Sequence, residues 1–392
     1  MSLVVGGCSS RAPVEVQALP SKGYVKVDST QVTGLINRLY TQSGPNFSWM
    51  SLENVIRHNL QYLSRRPANE IAARYGQFEI SWEMLRRTNE DFLQILPLLE
   101  SSPELLSENF VWYELTPRTL LTGYYEPYLE ASLVPDPEYP YPLYSIPADM
   151  KKLDLGKFHH RWKGQTLLYR TENGEAVPYY DREDIDFKGA LQGQGLEIAW
   201  VKDRVDIFML QVQGSGRLVL PDGSIKHVLY AGKNGLKYVS LGKELIERGI
   251  LSKEGMSMQK IRAYFKENPQ MIQELLVTNP SYVFFRLDDE GPFGSMACPL
   301  TPMASIATDT SVIPHGSLAL LTTRIPVQGQ DTREAVAKIV MAQDRGGAIK
   351  DTRVDLFCGS GPEAEFLAGH LTSWSHVYFP VSRAYLDELK DQ

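Results

Sequence analysis

The sequence predicts a mainly β protein with flanking helices, and three observations carry that reading. From Trp112 to Tyr144 the chain is dense in Tyr, Pro and Thr, in stretches such as TGYYEPYLE and PDPEYPYPLY. Prolines at that frequency break helices and confine strands to edges and bends. Short β-branched and aromatic runs between turn residues then recur at Tyr282–Arg286, Ser317–Thr323, Val354–Cys358 and His376–Val381. Helical spacing, by contrast, is confined to a front segment, a middle segment and one stretch, Pro362–Leu371, between the last two of those runs.

Taken in order, residues 9–45 are rich in Ser, Pro, Gly and Gln and read as a loose lead-in. Ser51 then stands before Leu52, Val55, Ile56, Leu60 and Leu63, apolar positions at helical spacing that Pro67 ends. A second helical stretch carries Phe92, Leu93, Ile95 and Leu96, with Pro97 stopping or kinking it. The front is therefore expected to be helical, and residues 120–230 all β. Within the latter, Glu197–Val201 and Val205–Leu210 read as strands, and Asp222-Gly223 as a hairpin turn. Ser240 and Ser257 open two middle helices, LGKELIERG and MQKIRAYFKEN, stopped at Gly249 and at Asn268-Pro269.

Several function classes are disfavoured. The 392 residues carry 40 Lys+Arg against 47 Asp+Glu, a net charge of −7, whereas nucleic-acid binding needs a basic surface. No run of 18 apolar residues is present to span a membrane. The seven histidines include no HExxH, and the adjacent His159 and His160 are expected to point apart on a strand, so no metal site is expected. After Gly214-Ser215-Gly216 the third position of a dinucleotide fingerprint holds Val219, and no phosphate-binding GxxxxGK[ST] occurs. Ser215 lies outside any GxSxG, and Cys298 and Cys358 read as small buried hydrophobes. No cofactor is expected.

Carboxylates remain. Asp309 lies in SIATDTSVIPHG, Asp344 in IVMAQDRGGAIK and Asp355 in RVDLFCGSG. An isolated Asp is most often a turn or cap residue. Asp355, however, sits among Val354, Leu356 and Phe357, where a strand disfavours it and alternation puts it on one face with Phe357. Partial burial there raises a carboxyl pKa toward that of a general acid, and a second carboxylate nearby raises it further. Tyr124, Tyr125, Tyr128, Tyr141 and Tyr144 fit either a core or a groove for sugars.

Longer motifs add to this. LTGYYEP, WVKDRVDIFMLQVQGSGRL, YAGKNGLKYVSLGKELIERGIL, NPSYVFFR and the block ATDTSVIPHGS…MAQDRGGAIKDTRVDLFCGSGPEAEFLAGHL run from about residue 110 to 382. In that order they resemble the membrane-bound lytic transglycosylase A (MltA) family, and the last block resembles its three-aspartate (3D) domain, at about 300–385. The resemblance implies an enzyme that cleaves the β-1,4 bond between N-acetylmuramic acid and N-acetylglucosamine of peptidoglycan, leaving a 1,6-anhydromuramoyl end, exo-acting and without cofactor. It implies a double-psi β-barrel domain, here 21–123 with 236–392, and a second, inserted β-barrel domain, 124–235, with the glycan in the groove between. The family's catalytic acid lies eleven residues after the Asp of DxGGAI, which from Asp344 is Asp355. Asp344 and Asp309 are expected to orient Asp355 by hydrogen bonding or to add charge, and Arg345 to hold Asp344 as a fixed anion; the alternatives are a water-using muramidase with Asp344 or Asp309 as base, or a non-catalytic peptidoglycan-binding protein. Thr122, Tyr124, Tyr125 and Glu126, at the junction, and Gln213, Gly214, Ser215 and Gly216 are the candidate glycan contacts, with hinge and turn geometry as the alternative; glycines there would admit the glycan close to the backbone.

Cys8 follows Val5-Gly6-Gly7, as at the end of a lipoprotein signal. With a family of outer-membrane-anchored enzymes in view, residues 1–20 read as signal remnant and tether, and Cys8 as the lipidated residue on the periplasmic face of the outer membrane. The expected protein is monomeric.

Overall fold

The computed structural model describes residues 22–28, 31–32, 34–36, 48–254 and 256–391; Cys8 and the lead-in before residue 22 lie outside them. Strand β1 (Gly23–Lys26) is followed by helix α1 (Glu53–Leu63), hairpin β2 (Ile71–Tyr75) and β3 (Phe78–Ser81), and α2 (Trp82–Ile95). Ser81 starts α2 by accepting the N–H of Met84 at 3.1 Å, and Pro97 falls in the tight turn Leu96–Leu98 that ends it. Then come α3 (Leu105–Asn109), β4 (Phe110–Thr116), β5 (Thr119–Glu126), β6 (Tyr128–Ser132), β7 (Tyr141–Tyr144), a small sheet of β8 (Lys151–Asp154), β9 (Thr166–Glu172) and β10 (Glu175–Pro178), and α4 (Arg182–Asp186). Strand β11 (Glu197–Val201), α5 (Arg204–Gln213), β12 (Ser215–Val219) and β13 (Ile225–Lys233) lead to α6 (Leu241–Glu247), α7 (Met258–Glu267) and α8 (Ile272–Leu276). The chain closes with β14 (Val283–Asp288), β15 (Ser305–Ala307), β16 (Leu318–Pro326), β17 (Arg333–Asp344), β18 (Val354–Ser360), α9 (Pro362–His370), β19 (Thr372–Ser382) and α10 (Arg383–Lys390).

The mainly β class with flanking helices holds. Four local expectations do not. Residues 205–210 are helix α5, not a strand: Asp203 accepts the N–H of Val205 at 2.8 Å, and Gly214, at φ 87°, ends the helix. Residues 120–230 are accordingly not all β, and the helical front contains the hairpin β2–β3. His159 and His160 sit at a single helical turn, His160–Trp162, with rings stacked 4.4 Å apart rather than pointing apart.

Six strands form a closed ring, β19-β16-β17-β15-β18-β5, because β5 pairs with β19 through Thr119–Thr122 as well as with β18. Two of its pairs are parallel, β5 with β18 and β15 with β17. The ring's interior is apolar, holding Leu121, Ile306, Leu321, Val340, Leu356 and Val377. Helices α1 and α2 cover one flank, where Ile56 and Phe92 meet Leu318, Leu320 and Ile339. A second sheet runs β14-β13-β12-β6-β11-β7, with a separate core that includes Leu129, Leu218, Val228 and Phe285. Helix α5 lies between this core and α6–α8, burying Ile207 and Leu210 on one side and Phe208 and Met209 on the other. Strand β5 ends where β6 begins, so the two sheets join at Glu126–Tyr128.

Candidate functional site at the junction of the two sheets

Strand alternation along β18 sends Val354 and Leu356 into the barrel and turns Asp355 and Phe357 outward. Parallel pairing sets Asp355 opposite Thr122 and Phe357 opposite Tyr124. Thr122 donates its hydroxyl to Asp355 Oδ1 at 2.7 Å, and the Tyr124 ring packs on Phe357 at 5.3 Å. Ala307 pairs with Asp344 on one side and with Asp355 on the other. The two aspartates therefore flank a single residue, two strand spacings or roughly 10 Å apart along the backbone. Tyr124 reaches across to donate to Asp344 Oδ2 at 3.0 Å.

Burial pushes the Asp355 carboxyl up to about 6; the Asp344 charge adds to this, while Thr122 and Arg353 oppose it. Burial also raises Asp344, against the Ser295 N–H at 2.9 Å, the Arg345 N–H and Tyr124. Here the expected role of Arg345 is corrected. Its backbone N–H, not its guanidinium, meets Asp344, and the carboxyl rises rather than falls. At Asp309 burial is outweighed by the Ser311 hydroxyl and N–H, the Asp351 N–H and Lys350, so that carboxyl lies below its usual range. Asp309 accepts the Ser311 hydroxyl at 2.7 Å and the Asp351 N–H at 3.0 Å, so it shapes the turn leading into β18.

The other candidates gather one step further along β5. Tyr125 donates its N–H to Gln213 Oε1 at 2.9 Å, and Gln213 Nε2 meets the Met258 sulfur at 3.2 Å, tying α5 and α7 to the barrel strand. Glu126 is fully buried, 3.0 Å from Arg217 Nε and 3.5 Å from His227 Nδ1. Gly214 ends α5, and Ser215 starts β12 opposite Leu229. At Gly216 a Cβ would lie 2.6 Å from Leu210 Cδ1 and 3.0 Å from the Pro127 carbonyl, so the close approach there is protein against protein. Thr122, Tyr124, Asp344 and Asp355 thus converge, whereas Tyr125, Glu126 and Gln213–Gly216 form the joint between sheets.

Two residues were not read from the sequence. Ser295 supplies its N–H from a distant loop, and no local pattern marks it. Arg353 donates to Thr122 Oγ1 at 3.3 Å, and its position two residues before Asp355, just ahead of β18, was a usable signal. Cys298 and Cys358 are free and buried, and burial pushes the Cys298 thiol up to about 11.

Comparison with known proteins bears on this arrangement. Residues 120–286 match the MltA specific insert domain and residues 304–379 the 3D domain. The crystal structure of a membrane-bound lytic murein transglycosylase from Agrobacterium tumefaciens is 30% identical, with a TM-score of 0.70 over 87% of this chain and 96% of that one. The chain belongs to the membrane-bound lytic murein transglycosylase A family. Among other members, MltA from Neisseria gonorrhoeae superposes with a TM-score of 0.71 at 28% identity, over 93% of this chain and 94% of that one. E. coli MltA with bound chitohexaose gives 0.59 at 26% identity, over 93% and 92%. Membrane-bound lytic murein transglycosylase A of Vibrio cholerae is 35% identical over 265 residues, 66% of this chain, and the match spans 64% of that relative's length. Among the described residues no helix is long and apolar enough to cross a membrane.

Proposed function

We propose that this MltA-family chain is a lytic transglycosylase that cleaves the β-1,4 bond between N-acetylmuramic acid and N-acetylglucosamine of peptidoglycan, leaving a 1,6-anhydromuramoyl end. The observation that carries the reading is the Asp355 carboxyl, held by a single hydroxyl and pushed up to about 6, so that a fraction of it still carries a transferable proton as pH approaches neutral. The family's name and the E. coli relative's bound chitohexaose, an oligomer of β-1,4-linked amino sugars, support the substrate.

Asp355 protonates the glycosidic oxygen as its bond to muramoyl C1 breaks. The Asp355 carboxylate then takes the proton of the same sugar's C6 hydroxyl while that oxygen bonds to C1. The acid is regenerated and no water is consumed. A nucleophile already inside the substrate removes an entropic barrier worth up to roughly 7–11 kcal/mol. That is why one carboxylate suffices where hydrolytic glycosidases use two. Burial, with the Asp344 charge adding to it, favours the protonated form of Asp355, and Thr122 fixes the orientation of the acid. Asp309 is spent on its turn, which disfavours it as the base of a hydrolytic muramidase.

In this reading the glycan lies between the barrel and an inserted unit of about residues 124–235 whose sheet β14 completes. The protein is a monomer anchored to the outer membrane through a lipid on Cys8; the VVGGC motif and the membrane-bound relatives support that anchor. Digestion of peptidoglycan in heavy-oxygen water tests the chemistry. Anhydro ends free of label are expected, whereas labelled reducing muramic acid ends would replace this reading with hydrolysis.

A further inference from the structure

On the barrel's outer face, one register step before Thr122 and Asp355, lies a cleft of about 490 Å³ lined by Pro117, Arg118, Leu120, Lys350, Arg353 and Trp374. Trp374 pairs with Leu120 across β19 and β5 and is 67% exposed. Leu120 and Thr122 share a face of β5, and Arg353, the residue just before β18, reaches Thr122 Oγ1 at 3.3 Å, so the cleft and the acid lie along one surface.

Its charge is one-sided. Asp351, the carboxylate on its wall, is already engaged by Lys22 Nζ at 2.7 Å and by the Tyr75 hydroxyl at 2.8 Å. Among the described residues, Arg118, Lys350 and Arg353 enter none of the ion pairs. Lys350 does act on Asp309 through its field. Arg353 joins the cleft to the site: one arm donates to Thr122 Oγ1, and its charge pulls on Asp355. Its Nε is buried without a hydrogen-bond acceptor, a donor whose desolvation nothing in the chain repays.

Three cations, an open donor and a flat aromatic ring beside the acid suit a sugar that carries a carboxylate. We propose that this cleft is a subsite for the acid on the muramoyl 3-O-lactyl arm, either the arm's own carboxylate or that of the peptide stem built on it. The inference rests on the peptidoglycan reading above and names which part of that polymer the site selects. An uncharged amino-sugar oligomer would leave the cleft empty.

The test uses the full chain with Arg118→Ala/Lys350→Ala, and separately Trp374→Ala, all exposed positions. Initial rates are taken on strands with acidic stems, with amidated stems, and stripped of stems so that lactyl acids are free. Binding of neutral chitohexaose is read in an Asp355→Asn background. The double variant should raise KM about three- to tenfold on acidic strands, and chitohexaose affinity should move less than about twofold. A defect that disappears on amidated stems assigns the stem acid; one that persists on stripped strands assigns the lactyl acid. Unchanged KM on every acidic strand, or an equal loss for chitohexaose, overturns the subsite. If the wild type releases no anhydro ends, the functional reading falls with it; an active wild type with an unaffected double variant removes the cleft alone.

Discussion

A carboxyl whose pKa rises from 3.8 in the unfolded chain to about 6 in the native one taxes the folded state whenever it ionises. Its stabilising contribution, present below pH 3.8, is lost as pH climbs toward 6, on the order of 3 kcal/mol for a shift of about two units. Asp355→Asn removes that loss. The variant should therefore unfold at higher denaturant than the wild type at pH 8, by about 1–3 kcal/mol, and at pH 4 the two should nearly coincide. A variant less stable at pH 8 would contradict this. The same proton governs catalysis, so kcat/KM should fall about tenfold per pH unit well above 6. A rate that instead rises through that range would identify a base, not an acid, as the group titrating. Asp355 was legible in the sequence because a strand interior disfavours Asp. The surroundings of Asp344 were not: its amide donor Ser295 stands 49 residues away, and Arg345 next to it contributes through its backbone rather than its charge.

At the scale of elements, α5 shows where pattern reading fails. Val205–Leu210 is a six-residue stretch that is apolar except for Asp206, and so short an apolar run fits a buried strand or a buried helix equally well. Burial on opposing faces, against the second sheet and against α6–α8, erased the polar stripe that marks a surface helix. Asp203 before the run and Gly214 after it were the discriminating signals, a cap and a left-handed stop. Helix α9 illustrates a constraint that local sequence conceals altogether. It sits so close to β5 that a Cβ at Gly123 would lie 2.9 Å from Cys358 Sγ and 3.0 Å from the Ala368 backbone. Gly123→Ala should cost about 1–3 kcal/mol in urea unfolding by forcing α9 off the strand that carries Thr122 and Tyr124. Wild-type stability would show that the helix rests loosely there.

For the whole molecule, the front helices are fastened to the barrel by buried amides as well as apolar contact. Asn59 donates to Asn89 Oδ1 at 3.1 Å and to the Gly316 carbonyl at 3.2 Å, while Gln343, the residue before Asp344, donates to Asn59 Oδ1 and to the Val55 carbonyl, both at 3.0 Å. Asn59→Leu would strand several of these groups without partners, and about 2–4 kcal/mol of stability should go with it in equilibrium unfolding. A loss within experimental error would mean water replaces the amide. Nothing in the spacing of Asn59, Asn89 and Gln343 announces such a network. Ring closure was equally invisible to local pattern, because β5 meets β18 and β19 across more than two hundred residues of intervening chain. The fold class came from composition and turn chemistry, and the expectation of a barrel came from long motifs that resemble a family. The central claim is that one partly buried carboxyl performs both proton transfers, and mass spectrometry of muropeptides released by the wild type and by folded Asp355→Asn tests it most directly. Anhydromuramoyl products from the wild type and almost none from the variant are predicted; anhydro products from both at similar rates would contradict it.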